Sequence, residues 1–297
     1  MKRILALAIA FATPIEAHAL ELFACEPEWA SLTREIAGDA VNVSSGTTAF
    51  QDPHKMQAKP SLIAAIRKAD LIVCSGAELE IGWLPLLLRR STNPKIQVGA
   101  PGYFLASDYV RRLEVPKIID RSQGDVHPQG NPHIQLSARN IARVADALEK
   151  RLAKLDPANA AKYQAGLDDF QDRWDEARDR WEERAANLRG MRLVSHHLSF
   201  SYLVDWLHLD MVATAEAKPG IPPSGAQLAR LLKQLTPNPP VAIIRTPYEN
   251  EKPSLWLSER LHIPAVILPY TIGGADGVVD LFSLYDVTID RLEELVQ

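Results

Sequence analysis

Three histidines lie in segments whose composition suits metal binding. They are His54 in Gln51-Asp52-Pro53-His54, His133 in Gly130-Asn131-Pro132-His133 and His197 in Ser195-His196-His197. Neutral imidazole is a common zinc ligand, and three imidazoles with a carboxylate or a water molecule make an ordinary zinc coordination shell. The proline directly before His54 and before His133 stiffens each loop and lowers the entropy lost on binding. These residues therefore predict a zinc site.

The histidines outside this set give weaker signals. His208 and His262 are interpreted as solvated surface residues, because polar loop side chains are mostly exposed. His127 follows Gly124-Asp125-Val126 in a polar loop. A role in metal entry is conceivable there, but solvation is favoured. His196 directly precedes His197, and spacing alone does not choose between them as a ligand.

The scaffold around these histidines follows an alternating pattern of strands and helices. In the first half, strands are predicted at 20–24, 40–43 and 71–74, and helices at 28–36, 61–68 and 82–89. In the second half, strands are predicted at 192–195, 211–213, 241–244 and 265–268, and helices at 200–207, 224–235, 254–261 and 280–295. Such alternation predicts α/β lobes with parallel sheets, whose ligands bind beyond the carboxyl ends of the strands.

One long helix is predicted between the two halves, at about 158–187. Its apolar residues recur at intervals of three and four: Tyr163, Leu167, Phe170, Trp174, Ala177 and Trp181. This stripe is typical of a helix that packs along one face. The predicted organisation is a signal peptide at 1–19, an N-terminal lobe at 20–150, a linker helix at 151–189 and a C-terminal lobe at 190–297.

The N-terminus resembles a secretory signal. Met1-Lys2-Arg3 precedes an apolar run from Ile4 to Thr13, and Ala17-His18-Ala19 has the small residues of a cleavage site. The run is too short for a membrane anchor. We therefore expect an exported protein with a periplasmic location.

Export also bears on the two cysteines, because disulfides persist outside the cytoplasm. Cys25 follows the first predicted strand, and Cys74 ends the third. If these strands are neighbours in a parallel sheet, the thiols come close enough to form a disulfide. The alternative is two small buried hydrophobic side chains.

The composition is that of an ordinary globular protein, with 46% hydrophobic and 24% charged residues. It excludes a disordered chain, a disulfide-dense mini-protein and a protein with many membrane spans. The net charge of -4, without a long basic run, argues against nucleic acid as a partner. A length of 297 residues predicts two domains of roughly 150 residues each.

Several motifs together resemble the periplasmic metal-binding solute receptors of ABC importers for zinc and manganese. They are Asp52-Pro53-His54, Lys68-Ala69-Asp70-Leu71-Ile72-Val73, Gly76-Ala77-Glu78-Leu79-Glu80, Asn131-Pro132-His133, Ser195-His196-His197 and the stretch from Glu216 to Ser224. Each is weak alone, but they occur in the family's order across essentially the whole chain after residue 19. The resemblance implies two α/β lobes joined by a single backbone helix, with the metal held between them.

The resemblance implies that His54, His133 and His197 are metal ligands. It favours His197 over His196 because the family's ligand precedes an aromatic residue by three positions and a tyrosine by five, as His197 precedes Phe200 and Tyr202. The fourth position departs from the family. An aspartate commonly follows the last strand there, whereas residues 268–274 of this chain contain no carboxylate.

Water, Asp280 and Asp276 are the candidates for the fourth position, in that order. Asp280 begins the last predicted helix, where a role as N-cap is an equal alternative. Asp276 precedes Gly277 and is typical of a turn. Glu78 and Glu80 are interpreted as exposed residues, either on a solvated face or in contact with a permease.

Zn(II) is the expected ion, because three imidazoles suit zinc better than manganese, which prefers more oxygen ligands. By the resemblance, zinc is the transported ligand, and the receptor delivers it to a membrane permease that a cytoplasmic ATPase powers. We expect a monomer that catalyses no reaction. Zinc affinity is expected to fall near or below about pH 6, where imidazoles protonate.

Two other functions fit parts of the pattern. An exported zinc hydrolase also uses three protein ligands, but it usually adds a carboxylate base, and the sequence contains no His-Glu-x-x-His motif. A haem or iron-chelate receptor of the same architecture needs a broad cleft with aromatic or arginine contacts. Three converging histidines are unnecessary for that purpose.

Overall fold

The structure of the protein, a computed structural model, describes residues 19–118, 124 and 126–296. Apart from Ala19, the predicted signal peptide lies outside the described residues. Among the helices of the described part, none is both long enough and apolar enough to cross a membrane.

The chain forms two four-stranded sheets with the same strand arrangement. The first has the order β2-β1-β3-β4, with β1 (Leu20–Ala24), β2 (Val41–Ser45), β3 (Leu71–Cys74) and β4 (Tyr103–Leu105). The second has the order β6-β5-β7-β8, with β5 (Arg192–Ser195), β6 (Asp210–Thr214), β7 (Ala242–Arg245) and β8 (Ala265–Ile267). The strand pairs of both sheets are parallel. The predicted α/β class with two parallel-sheet lobes is confirmed.

Helices connect and cover these strands. They are α1 (Pro27–Ala37), α2 (Pro60–Lys68), α3 (Leu84–Ser91), α4 (Ala138–Leu155), α5 (Ala160–Arg184), α6 (Ser201–Leu207), α7 (Gly225–Leu235), α8 (Glu251–Leu261) and α9 (Leu281–Glu293). Helix α7 begins after Ser224, whose side chain accepts a hydrogen bond from the backbone N–H of Gln227. This cap marks the N-terminal end of the helix.

Helix α5 is the predicted long helix and has 25 residues. The six residues of its apolar stripe are all buried. The helix packs against α1, α4 and α9, and it crosses α1 at Gly166, where a Cβ atom would lie 2.1 Å from the carbonyl oxygen of Ile36. One apolar core runs from the first sheet past α5 to the second. The lobe boundaries at residues 150 and 190 stay predictions.

The predicted disulfide is present. Strands β1 and β3 are neighbours, and Cys25 and Cys74 at their ends are bonded, with Cα atoms 4.8 Å apart. Glu80 lies beside this disulfide and is buried, accepting hydrogen bonds from the backbone N–H of Gly76. Burial raises the pKa of Glu80 to about 7. The prediction that Glu80 is exposed is therefore wrong, and Glu78 is half-buried.

Candidate metal centre

The structure brings His54, His133 and His197 together from three separate loops. His54 follows β2, His133 precedes α4 and His197 follows β5. Their ring centroids are 5.2 Å apart for His54 and His133, 5.6 Å for His54 and His197, and 5.5 Å for His133 and His197. One nitrogen from each ring lies within 4.8 Å of the others. Three imidazoles this close together could bind one metal ion.

Each ring is held through Nδ1 by a different side chain. Asp52 Oδ1 lies 2.9 Å from His54 Nδ1, and Glu216 Oε2 lies 2.8 Å from His197 Nδ1. The Tyr270 hydroxyl lies 2.6 Å from His133 Nδ1. Ionised carboxylates only accept hydrogen bonds, so Asp52 and Glu216 place a proton on Nδ1 and leave the Nε2 lone pair free for a metal.

Local structure explains how two of these loops aim their rings. Asp52 caps the short turn Pro53–Lys55 by accepting a hydrogen bond of 3.0 Å from the backbone N–H of His54. Asn131 Oδ1 likewise accepts a hydrogen bond of 2.9 Å from the backbone N–H of His133. The Asn131 amide also donates to the carbonyl of Leu198 in the second lobe. These contacts position the rings before any ion binds.

Burial and charge set the protonation of these imidazoles. Burial, followed by the charges of His54 and His197, holds the pKa of His133 well below its usual value. Burial also lowers the pKa of His197, but the hydrogen bond and negative charge of Glu216 outweigh it, so this pKa is raised. As the pH falls, His197 therefore takes up a proton before His133 does.

The two carboxylates remain ionised beside the imidazoles. Burial raises the pKa of Asp52, but the hydrogen bond and charge of His54 outweigh it and hold this pKa well below its usual range. Burial likewise raises the pKa of Glu216, but the hydrogen bond and charge of His197 outweigh burial, so the pKa of Glu216 is lowered. The two negative charges together equal in size the charge of one divalent cation.

His127 borders this centre, although it is outside the group of three, and it is half-buried, which corrects the prediction that it is solvated. Its Nε2 is 3.2 Å from Nε2 of His54. Two nitrogens bound to one tetrahedral zinc at the usual distances are about 3.4 Å apart. Burial, followed by the charges of His54 and His197, lowers the pKa of His127 to about 3. The ring is therefore neutral and able to bind a metal.

The two aspartates considered for the fourth position lie elsewhere. Asp280 caps α9, where its Oδ1 accepts a hydrogen bond of 2.8 Å from Ser283 N and one of 2.6 Å from Ser283 Oγ. Its carboxylate is not in the metal-ligand group found among the described residues. Asp276 is exposed. Asp280 thus serves as a helix cap, and neither aspartate is among the ligands we propose.

The remaining histidines are placed as follows. His208 and His262 are exposed, as predicted, and end α6 and α8. His196 points its Nε2 to within 3.9 Å of Glu216 Oε1 and lies outside the group of three ligands. The structure therefore favours His197 over His196.

Sequence reasoning did not assign roles to Asp52, Glu216 or Tyr270. The role of Asp52 could have been predicted, because an aspartate side chain often accepts a hydrogen bond from the backbone N–H two residues later. Glu216 lies 19 residues after its partner His197, and Tyr270 lies 137 residues after His133. No local pattern marks such distant partners.

The fold and this centre agree with comparisons to known proteins. Residues 23–295 match the family described as zinc-uptake complex component A, periplasmic, and the chain belongs to this family. Its members are metal-binding substrate-binding proteins of ABC transporters, which work with a permease and an ATPase, and are not enzymes.

Relatives differ in the metal that their names give. The chain is 24% identical over 278 residues to the manganese ABC transporter substrate-binding lipoprotein scaA of Streptococcus gordonii, covering 89% of this chain and 85% of that one. It is 24% identical over 207 residues to the zinc-binding lipoprotein AdcA of Streptococcus pneumoniae, covering 69% of this chain and 41% of that one. The crystal structure of ZnuA superposes with a TM-score of 0.78 at 22% identity, covering 94% of this chain and all of that one.

Proposed function

We propose that this protein captures Zn(II) in the periplasm and delivers it to the permease of an ABC importer. The observation that carries the proposal is the convergence of three imidazoles. Each has a partner at Nδ1, and one nitrogen of each ring lies within 4.8 Å of the others. An all-nitrogen donor set favours zinc over manganese, because manganese prefers oxygen ligands. The ligands we propose are His54, His133 and His197, with His127 in the fourth position that water would otherwise take.

Delivery, export and oligomeric state belong to the same proposal. A cleavable signal peptide ending at Ala19 would direct the protein to the periplasm. There the protein acts as a monomer and meets a permease driven by a cytoplasmic ATPase. The ligands come from loops of both lobes, which suits an ion held between lobes and released when they separate.

Calorimetric titration of the metal-free protein with Zn(II) and with Mn(II) tests the choice of ion. We expect one tight zinc site and much weaker manganese binding, because the donors are nitrogens. A competition experiment, with zinc added to the manganese-loaded protein, should show displacement. Tighter binding of manganese than of zinc would contradict the proposal, as would zinc-dependent hydrolysis of ester or peptide substrates.

Substitution of Glu216 by glutamine is expected to change the pH dependence of zinc binding. Glu216 raises the pKa of His197, so protons compete with zinc at this ligand as the pH falls through that raised pKa. Without the carboxylate, burial lowers the pKa of His197. The loss of zinc affinity on acidification should therefore begin at a lower pH in the variant. At neutral pH the variant should bind roughly 10- to 100-fold more weakly, because the metal-bound imidazole loses its carboxylate partner.

Titrations from about pH 7.5 to about pH 5 measure this effect. Glu259→Gln is a matched control, since Glu259 is exposed on α8 and its substitution should leave the profile unchanged. Identical profiles for the wild-type protein and Glu216→Gln would count against the role of Glu216. An affinity of the wild-type protein that does not change over this range would count against the imidazole site itself.

A further inference from the structure

The three imidazoles differ in where their Nδ1 partners come from. For His54 and His197, the partner lies in the histidine's own lobe. Tyr270, in contrast, follows β8 in the second lobe, whereas its partner His133 precedes α4 in the first. The orientation of His133 therefore depends on how the two lobes are placed relative to each other.

The segment after β8, residues 268–271, carries Tyr270 across to the first lobe, and we call it the β8 loop. Its first residue, Leu268, is held in the second lobe, where its N–H donates a hydrogen bond of 2.9 Å to the carbonyl of Arg245. Two positions later, Tyr270 is buried and its hydroxyl contacts His133. The residue between them is a proline, whose ring fixes φ. The loop therefore has little freedom between its attachments to the two lobes.

Two further hydrogen bonds join the β8 loop to the first lobe. Thr271 Oγ1 donates a hydrogen bond of 2.5 Å to Oε2 of Glu28, which lies in the first turn of α1. Gln135 Nε2 donates a longer one, of 3.3 Å, to the backbone carbonyl of Tyr270. Glu28 and Gln135 are both fully buried, so water does not compete with these bonds.

The bond between Glu28 and Thr271 is directional, whereas apolar packing between the lobes is not. Burial raises the pKa of Glu28 to about 7, and its Oε2 can accept this bond whether the carboxyl group is ionised or protonated. Thr271 directly follows Tyr270. A displacement of Thr271 from Glu28 would therefore also displace the Tyr270 hydroxyl from His133.

We propose that Glu28 and Thr271 are positioning residues for metal binding that act through Tyr270; this rests on the proposed function. Their hydrogen bond holds the β8 loop against the first lobe, and the loop places the Tyr270 hydroxyl at Nδ1 of His133. The imidazole is thereby held in one orientation for the ion. A movement of the lobes that withdraws the loop removes the partner of one metal ligand and weakens the hold on the ion.

Zinc affinities of single variants, measured by competition with a chromogenic chelator, test this role. Tyr270→Phe removes the hydroxyl at His133 and should lower the affinity roughly 10- to 100-fold. Thr271→Val removes only the bond to Glu28 and should lower the affinity about two- to tenfold, which is the value of one net hydrogen bond. Thr271→Ser keeps a hydroxyl and should recover the affinity that Thr271→Val loses.

The double variant of Tyr270→Phe with Thr271→Val separates positioning from a purely structural role. If Thr271 acts through Tyr270, its substitution should change the affinity little once the Tyr270 hydroxyl is gone. Glu28→Leu removes the acceptor and leaves Thr271 intact. It should give the same pattern, alone and with Tyr270→Phe, and it replaces Thr271→Val if that variant does not fold.

Thr288→Val is the matched control. Thr288 is buried on α9, and its Oγ1 donates a hydrogen bond of 2.6 Å to the carbonyl of Leu284. Loss of this bond should lower the free energy of unfolding of the metal-free protein and leave zinc affinity unchanged. The control thus shows how far a lost buried hydroxyl affects zinc binding through stability alone.

Three results would overturn the proposal. One is wild-type zinc affinity in Tyr270→Phe. Another is wild-type affinity in both Thr271→Val and Glu28→Leu. The third is a double variant whose loss of affinity is the product of the two single losses, because Thr271 would then act independently of Tyr270. Absence of zinc binding by the wild-type protein would instead contradict the proposed function.

Discussion

Replacement of His133 by asparagine is expected to lower zinc affinity strongly, because a metal ligand is lost. Loss of a side chain that only hydrogen-bonds to a metal ligand costs roughly 10- to 100-fold, and loss of the ligand itself should cost more. His133 is 1% exposed, and its Nε2 has no hydrogen-bond partner among the described residues. This atom is therefore available only to the ion. Asparagine is too short to place an amide where Nε2 lies, so the coordination shell loses one of its three central ligands.

Calorimetry and thermal unfolding should report the same loss. Zinc that binds only the folded state at 100 times its dissociation constant stabilises a protein by about 2.7 kcal/mol, and this gain should disappear in His133→Asn. His262→Asn is the matched control, because His262 is exposed and ends α8 with φ of 56°, which asparagine adopts readily. Wild-type zinc affinity in His133→Asn would rule His133 out as a ligand.

Removal of the disulfide, by Cys25→Ala with Cys74→Ala, is expected to reduce the free energy of unfolding by about 4 kcal/mol. The two cysteines are 49 residues apart, and the bond restricts the unfolded chain over that whole loop. The loop contains β2, α2 and His54. Because the proposed metal ligands are histidines and neither cysteine belongs to their group, the folded variant should still bind zinc with nearly wild-type affinity.

Chemical denaturation of the metal-free protein measures this effect. The reduced wild-type protein is the matched control, since it loses the covalent bond but keeps both sulfur atoms in the core. We expect the reduced protein and the double variant to unfold at similar denaturant concentrations, both below that of the oxidised protein. Equal stability of the oxidised protein and the double variant would show that the disulfide does not stabilise this fold.

Local patterns along the chain predicted most of the scaffold. The intervals of three and four in the apolar stripe matched the buried face of α5, and the two cysteine-bearing strands proved to be neighbours. Strand β4 (Tyr103–Leu105) was missed, because it has only three residues and follows a segment rich in glycine and proline. Such a strand is formed by its neighbour β3 more than by its own propensity.

The fourth metal position shows where local patterns fail. Asp280 had two compatible roles in the sequence, ligand and N-cap, and in the structure its side chain caps α9. The sequence neighbours of His127 are those of a solvated loop residue, yet its Nε2 lies 3.2 Å from Nε2 of His54. The two residues are 73 positions apart, so their proximity depends on the packing of the first lobe and not on nearby residues.

The sequence by itself predicted the parallel α/β class and the long helix, because both follow from periodicity. It offered the disulfide as one of two alternatives, and the resemblance to the family selected His54, His133 and His197. Only the tertiary structure decided which groups surround those imidazoles. Asp52, Glu216 and Tyr270 hold the rings, and Nε2 of His127 lies 3.2 Å from Nε2 of His54. The physical reason is that loops from both lobes meet at the carboxyl ends of the strands, and their paths are set by the core beneath them.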